Sequence, residues 1–269
     1  MTVLPVRMVE KPWGRDALPA PFAAPAGQRI GEVWFEPPTS LGQLLVKYIF
    51  TSEKLSVQVH PNDAQTVAVG LGKQGKEECW LVVAADEGAT LGIGFNQAIR
   101  ADEMRMAATD GTIEALMTWF PVRPGDFFYI PAGTVHAIGA GVGLIEVQQN
   151  SDITYRLYDY GRPRPLHLNE GMGVARGEPY ADPRRRHVPD RGEVALVDGP
   201  LFRLTRYDGP LSAEARAQFG KKALLVIPQT AGASVRGVDV PAGSCAVASG
   251  LQALAVEDGA RGLIAQPIC

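Results

Sequence analysis

The chain has 269 residues, 46% of them hydrophobic and 20% charged, with a formal net charge of −3. That length holds one large or two modest domains and buries a sizeable core, while the near-balanced charge leaves no footprint for nucleic acid or an anionic membrane. No apolar run approaches the ~18 residues of a membrane span, the opening MTVLPVRMVEKPWG lacks the features of a secretory leader, and three cysteines (Cys79, Cys245, Cys269) without a CxxC fit a reducing cytosol and exclude a thiolate zinc site.

Thirty glycines and 21 prolines punctuate short apolar or alternating runs at 44–50, 55–59, 80–83, 126–130, 143–148, 223–227 and 252–256. Short strands between frequent turn signals predict an all-β sandwich or barrel. In the second run, LSVQVHP, alternation puts Ser56, Gln58 and His60 on one face and Val57 and Val59 on the other. An amide oxygen and an imidazole two residues apart make a chelating pair. In GKEECWLVV, Lys76, Glu78 and Trp80 share one face, with Glu77 and Cys79 opposite. One of these adjacent glutamates is the anionic ligand that the histidines lack.

The stretch ADEMRMAATDGTIEALMTWF spaces Met104, Ala107, Ala108, Ile113, Leu116, Met117 and Phe120 helically, with a break at Asp110-Gly111. It reads as a two-piece helical flap over one barrel end. Next, PGDFFYIPAGTVHAIG is similar to the second motif of the cupin superfamily, with Gly125, Pro131, Gly133 and His136 at the motif's spacing. It predicts a turn, a strand over 126–130, a tight hairpin and a returning strand begun by His136. The Asn that the motif carries four residues later is Ala140 here. Gln, two His and Glu together offer nitrogen and oxygen donors to a divalent cation, zinc first among them.

Residues 172–194, rich in Gly, Pro and Arg, read as a connector, and Arg184-Arg185-Arg186 within it as a solvated loop. Strand-like runs resume beyond. FYIPAGTVHAIGAG resembles VDVPAGSCAVASG, which sets Pro131 against Pro241 and His136 against Ala246. The expected plan is a metal-binding domain over 1–171, a connector over 172–194 and a second, degenerate β domain over 195–269.

LSVQVHPND, KEECW, PGDFFYIPAGTVHAIG and QQNSDITYRLYDYGR resemble the class I mannose-6-phosphate isomerases in their short bacterial form. The resemblance runs from KPWG and GEVWF to about Leu168. It implies two cupin-like jelly-roll barrels and an aldose–ketose isomerase that interconverts mannose 6-phosphate and fructose 6-phosphate. It also implies one catalytic zinc per chain, a sugar phosphate as the small-molecule partner and a cytoplasmic location; the oligomeric state stays open. By position the ligands are Gln58, His60, Glu78 and His136. Ser56 and Lys76 match phosphate-holding positions, Arg156 the active-site arginine, and Glu146 an acidic residue beside the site. Lys76, Glu146 and a metal-bound water compete as the base, Glu146 weakened by the low pKa expected of a carboxylate beside a cation. Larger members carry His-Lys-Pro-Glu where this chain has Gly75-Lys76-Glu77-Glu78, and the helical insertion common before the QVH motif is missing. Two other readings are a metal-dependent cupin oxygenase, disfavoured because Gln58 stands where the usual first motif has a histidine, and a non-catalytic sugar-binding cupin.

Overall fold

A computed structural model describes residues 3–268, so Cys269 lies outside it. The first half carries β1 (Val6–Arg15), β2 (Ile30–Phe35), β3 (Leu44–Phe50), β4 (Val57–Val59), α1 (Asp63–Ala68), β5 (Glu78–Ala85), β6 (Thr90–Phe95), α2 (Ala101–Asp110), α3 (Ile113–Leu116), β7 (Met117–Pro121), β8 (Asp126–Ile130), β9 (His136–Ile138), β10 (Val142–Gln149), β11 (Tyr155–Tyr158), α4 (Leu168–Met172) and β12 (Arg186–His187). The second half carries β13 (Val194–Asp198), β14 (Phe202–Asp208), α5 (Ala213–Phe219), β15 (Leu224–Pro228), β16 (Ala233–Val235), β17 (Val238–Asp239), β18 (Ala246–Ala248), β19 (Leu254–Val256) and β20 (Arg261–Pro267). The expected strands are present, several with shifted ends.

Four antiparallel sheets form two barrels. The order β1-β2-β3-β10-β5-β8-β12 faces β11-β4-β9-β6-β7, and β13-β14-β20-β15-β18 faces β17-β16-β19. The seven-stranded sheet is buried on both sides. Its inner residues, among them Ile49, Trp80 and Leu144, meet Leu91, Ile93 and Ile138 of the facing sheet. Its outer residues, among them Val46, Tyr48, Leu81, Tyr129 and Val147, pack against Phe202, Leu204, Leu225, Ile227 and Leu263. A strand buried on both faces reads as a continuous apolar run, which is why β3 looks featureless in sequence apart from Lys47.

Four expectations are corrected. The helical stretch ends at Leu116, because Met117 and Phe120 belong to β7, paired with β6. The helices cover a sheet face rather than a barrel end: Met104, Ala107, Ala108 and Ile113 pack on Val57, Val59, Val135 and Leu157. Pro131–Gly133 is a corner and not a hairpin. β8 lies in the seven-stranded sheet and β9 in the five-stranded one, since closing a barrel requires strands that pass from one sheet to the other. The connector is not bare either. It supplies β12 to the edge of β8, and Arg184 stacks 3.4 Å from the Tyr129 ring while pairing with Asp182 at 2.6 Å. Near the N-terminus, Leu4 donates its N–H to the Cys245 carbonyl.

Candidate metal centre

Gln58 is the middle residue of β4, between β9 and β11, and the register sets it opposite His136 on one side and Arg156 on the other. Val57 and Val59 fill the helical layer, so alternation turns Ser56, Gln58 and His60 into the barrel. From the facing sheet β5 sends Glu78 and Trp80 inward and Cys79 outward. Trp34, Lys47, Glu146 and Trp80 stand in one cross-strand row through β2, β3, β10 and β5.

His60, Glu78 and His136, all buried, bring their ligand atoms within 4.8 Å of one another. The His136 Nε2 lies 3.3 Å from Glu78 Oε1, and the His60 Nε2 lies 3.6 Å from Glu78 Oε2. The tautomers follow from the neighbours. His60 Nδ1 sits 2.8 Å from the Ile153 carbonyl and His136 Nδ1 2.9 Å from the Thr134 carbonyl. A carbonyl only accepts, so each Nδ1 carries the proton and each Nε2 turns a lone pair to Glu78. Glu78 is fully buried, and its Oε1 has no hydrogen-bond donor while its Oε2 meets only the Lys76 ammonium. The cluster gathers more acceptor atoms than donors, the donors near it being the Lys76 ammonium and the Gln58 amide, and an acceptor left unpaired in a buried site costs ~1–3 kcal/mol. Donors ~2.1 Å from a tetrahedral zinc stand roughly 3.4 Å apart, so the observed spacings fit a divalent cation. Gln58 turns its amide nitrogen to His136 at 3.3 Å and its oxygen to the Ser56 hydroxyl at 3.1 Å. Half a turn about the terminal bond exchanges them and brings the oxygen to the cluster.

The Lys76 ammonium lies at the cluster itself, 2.6 Å from Glu78 Oε2 and 3.1 Å from His60 Nε2. Burial depresses its pKa, but Glu78 and Glu146 outweigh that and leave it above the ordinary lysine value. Burial holds both histidines neutral, His136 with a pKa lowered to about 4 and His60 well below the usual 6.5, with Lys76 adding to the effect. Glu146 is shifted as well in the metal-free cluster. Burial and the neighbouring Glu78 raise it, against the opposing pull of Lys76 and Lys47. Its Oε2 accepts the Trp80 indole N–H at 3.1 Å, and its Oε1 lies 3.4 Å from Lys47 Nζ.

Beside the cluster opens a cleft of about 250 Å³ lined by Ser56, Gln58, Lys76, Glu146 and Arg156. The same wall carries Lys11, Glu32, Trp34, Lys47, Asp152, Thr154 and Arg164, whose place in the site sequence reasoning did not assign. Lys47 had a readable signal, a lone charge in the apolar run LLVKYIF. The Arg156 Nε is buried without a hydrogen-bond partner. His167 accepts the Arg156 backbone N–H at 3.3 Å and so braces that strand. Asp159 pairs with Arg162 and Arg164. Tyr155 packs in the helical layer.

No family model matches the chain. It is 39% identical over 196 residues to the mannose-6-phosphate isomerase of Streptococcus mutans, covering 70% of this chain and 61% of that one. It is 35% identical over 216 residues to the mannose-6-phosphate isomerase ManA of Bacillus subtilis, covering 74% of this chain and 68% of that one. The chain belongs to the mannose-6-phosphate isomerase family. It spans about three fifths of the length of the Streptococcus mutans member. The fold agrees with that of a crystallised Bacillus subtilis mannose 6-phosphate isomerase, with a TM-score of 0.77 at 22% identity over 98% of this chain and 99% of that one. A zinc-bound mannose 6-phosphate isomerase superimposes with a TM-score of 0.70 at 14% identity, over 100% of this chain and 99% of that one. In this chain the cluster lies between the two sheets of the first barrel, on residues that QVH, KEE and the strand after the Pro-Ala-Gly corner supply.

Proposed function

We propose that the chain interconverts mannose 6-phosphate and fructose 6-phosphate with one zinc ion held by Gln58, His60, Glu78 and His136. The observation that carries this reading is Glu78. A fully buried carboxylate, its Oε2 paired with the Lys76 ammonium, faces two imidazole lone pairs beside a cleft rich in ammonium and guanidinium groups. Zinc bound there supplies Lewis acidity to the sugar oxygens and to the charge that develops between C1 and C2. Ser56 and Arg156 hold substrate oxygens from the β4–β11 side, the guanidinium providing a charge with no carboxylate within ion-pair distance among the described residues. Lys76 donates from its charged ammonium. Glu146, buried in the cleft wall with a pKa raised by burial and by Glu78, carries the proton between the two carbons. We take residues 1–171 as the catalytic unit, 172–194 as the connector and 195–269 as a second unit that buries the outer face of the first.

The test is metal analysis of the dialysed protein with a coupled isomerase assay. Roughly one zinc per chain is expected, with turnover of mannose 6-phosphate abolished by a chelator and restored by zinc. Metal-free protein with undiminished turnover, or zinc-loaded protein with none, refutes the reading.

A further inference from the structure

Lys76 is anchored at its backbone and committed at its tip. Its N–H donates to the Pro61 carbonyl at 2.9 Å. The preceding Gly75 donates to Asp63 Oδ1 at 2.7 Å and is packed so tightly that a Cβ there would lie 2.3 Å from the Pro61 oxygen. Only the side chain is free to swing. Its Nζ is 2.6 Å from Glu78 Oε2 and 3.1 Å from His60 Nε2, two atoms 3.6 Å apart. A cation ~2.1 Å from both of those atoms lies within about 1.1 Å of their midpoint, and the ammonium lies roughly 2.2 Å from the same point. The two positive centres would then stand no more than about 3.3 Å apart, with no room for a screening group between them. Two like charges in a buried site do not share one carboxylate oxygen at that range.

Resting on the metal site proposed above, we propose that Lys76 is the built-in competitor of the metal. Cation entry at Glu78 and His60 expels the ammonium into the cleft, so loading the metal and presenting Lys76 to the substrate are one coupled event. The cleft supplies the destination, because Lys76 lines it together with Glu146, an anionic partner already within electrostatic reach. The ammonium thereby stabilises the cluster when no cation is bound and becomes available for chemistry when one is. Lys47, buried but paired with Glu146 at 3.4 Å, makes no ion pair with the ligand cluster and serves as the control.

Two measurements on the full chain test this. In the first, an amine-reactive label is applied to metal-stripped and zinc-loaded wild type, with labelling rates read by mass spectrometry. Lys76 should be protected in the stripped protein and label at least tenfold faster with zinc, while exposed Lys54 is unchanged. In the second, chelator competition gives zinc affinities for wild type, Lys76→Met, Lys76→Gln and Lys47→Met. Both Lys76 variants should bind zinc at least tenfold more tightly, and Lys47→Met should change affinity far less. Zinc binding with Lys76 still protected, and with affinity unchanged in its variants, overturns this inference alone. A chain that binds no divalent ion overturns both it and the site on which it rests.

Discussion

The two barrels turn the same corner and then diverge. In the first, Thr134 N–H donates to the Pro131 carbonyl at 3.1 Å, with Gly133 at φ 83°; in the second, Ser244 donates to Pro241 at 3.2 Å, with Gly243 at φ 74°. A positive φ at the third residue of a four-residue turn favours glycine at both places. The next strand begins with His136 in one barrel and Ala246 in the other. His136 enters a polar cluster, whereas Ala246 joins an apolar core with Tyr207, Val226 and Ile264. The cross-strand rows differ in the same sense: Lys47, Glu146, Trp80 and Phe128 in the first sheet against Thr205, Ile264, Val226 and Ala246 in the third. The corner is thus a device of the fold, and the site depends on what is placed around it.

The comparison is broken most severely by removing the histidine. His136→Ala should lower zinc affinity by more than a hundredfold and isomerase turnover by on the order of a thousandfold, since it takes away a ligand and not merely its support. Metal analysis and kinetics check this, and full zinc occupancy in the variant would remove His136 from the site. The reciprocal change, Ala246→His, should destabilise the chain by about 3–4 kcal/mol, because it overpacks a closed core and buries a polar ring without partners. Denaturant unfolding reads the loss, and a gain of a second metal ion would contradict the contrast between the barrels.

A milder perturbation is acid. In metal-stripped protein, unfolding lets His60 and His136 regain the ordinary pKa near 6.5, whereas folding holds His136 at about 4 and His60 well below normal. The unfolded chain therefore binds protons first as the pH drops. Stability is complete above about 6.5 and declines below it, by up to about 3 kcal/mol from His136 once pH reaches its folded pKa. The second barrel has no histidine, the last in the sequence being His187 of β12. Hydrogen exchange at pH 7 and pH 5 should loosen β4 and β9 while leaving β15 and β18 nearly unchanged. Equal loosening in both would show that the burial of the histidines is not what makes the first barrel acid-sensitive.

Much of this site was legible locally. Alternation across LSVQVHP and KEECW placed Ser56, Gln58, His60, Lys76 and Glu78 on faces that the structure turns inward, because a strand's period is a property of its own backbone. The break at Asp110-Gly111 was visible for the same reason, and Gly111 ends the helix in a left-handed conformation at φ 85°. The destination of each strand was not legible. The spacing from Ile130 to His136 looks like a hairpin, and only the pairing of β9 with β4 and β6 shows a corner. The charged wall of Lys11, Glu32 and Lys47 was equally hidden, since its members come from three strands whose adjacency no local pattern records.

By itself the sequence determined which side chains are available for chemistry and which face of its strand each occupies, since both depend only on side-chain identity and backbone geometry. Tertiary structure decided that the Glu78 carboxylate meets the His60 and His136 lone pairs, and that Lys76 rests on Glu78 and not at the far end of the cleft. It also buried Glu146 beside Glu78, which raises its pKa in the metal-free site. These outcomes are set by distance and burial between segments far apart in the chain, and electrostatic energy depends on both.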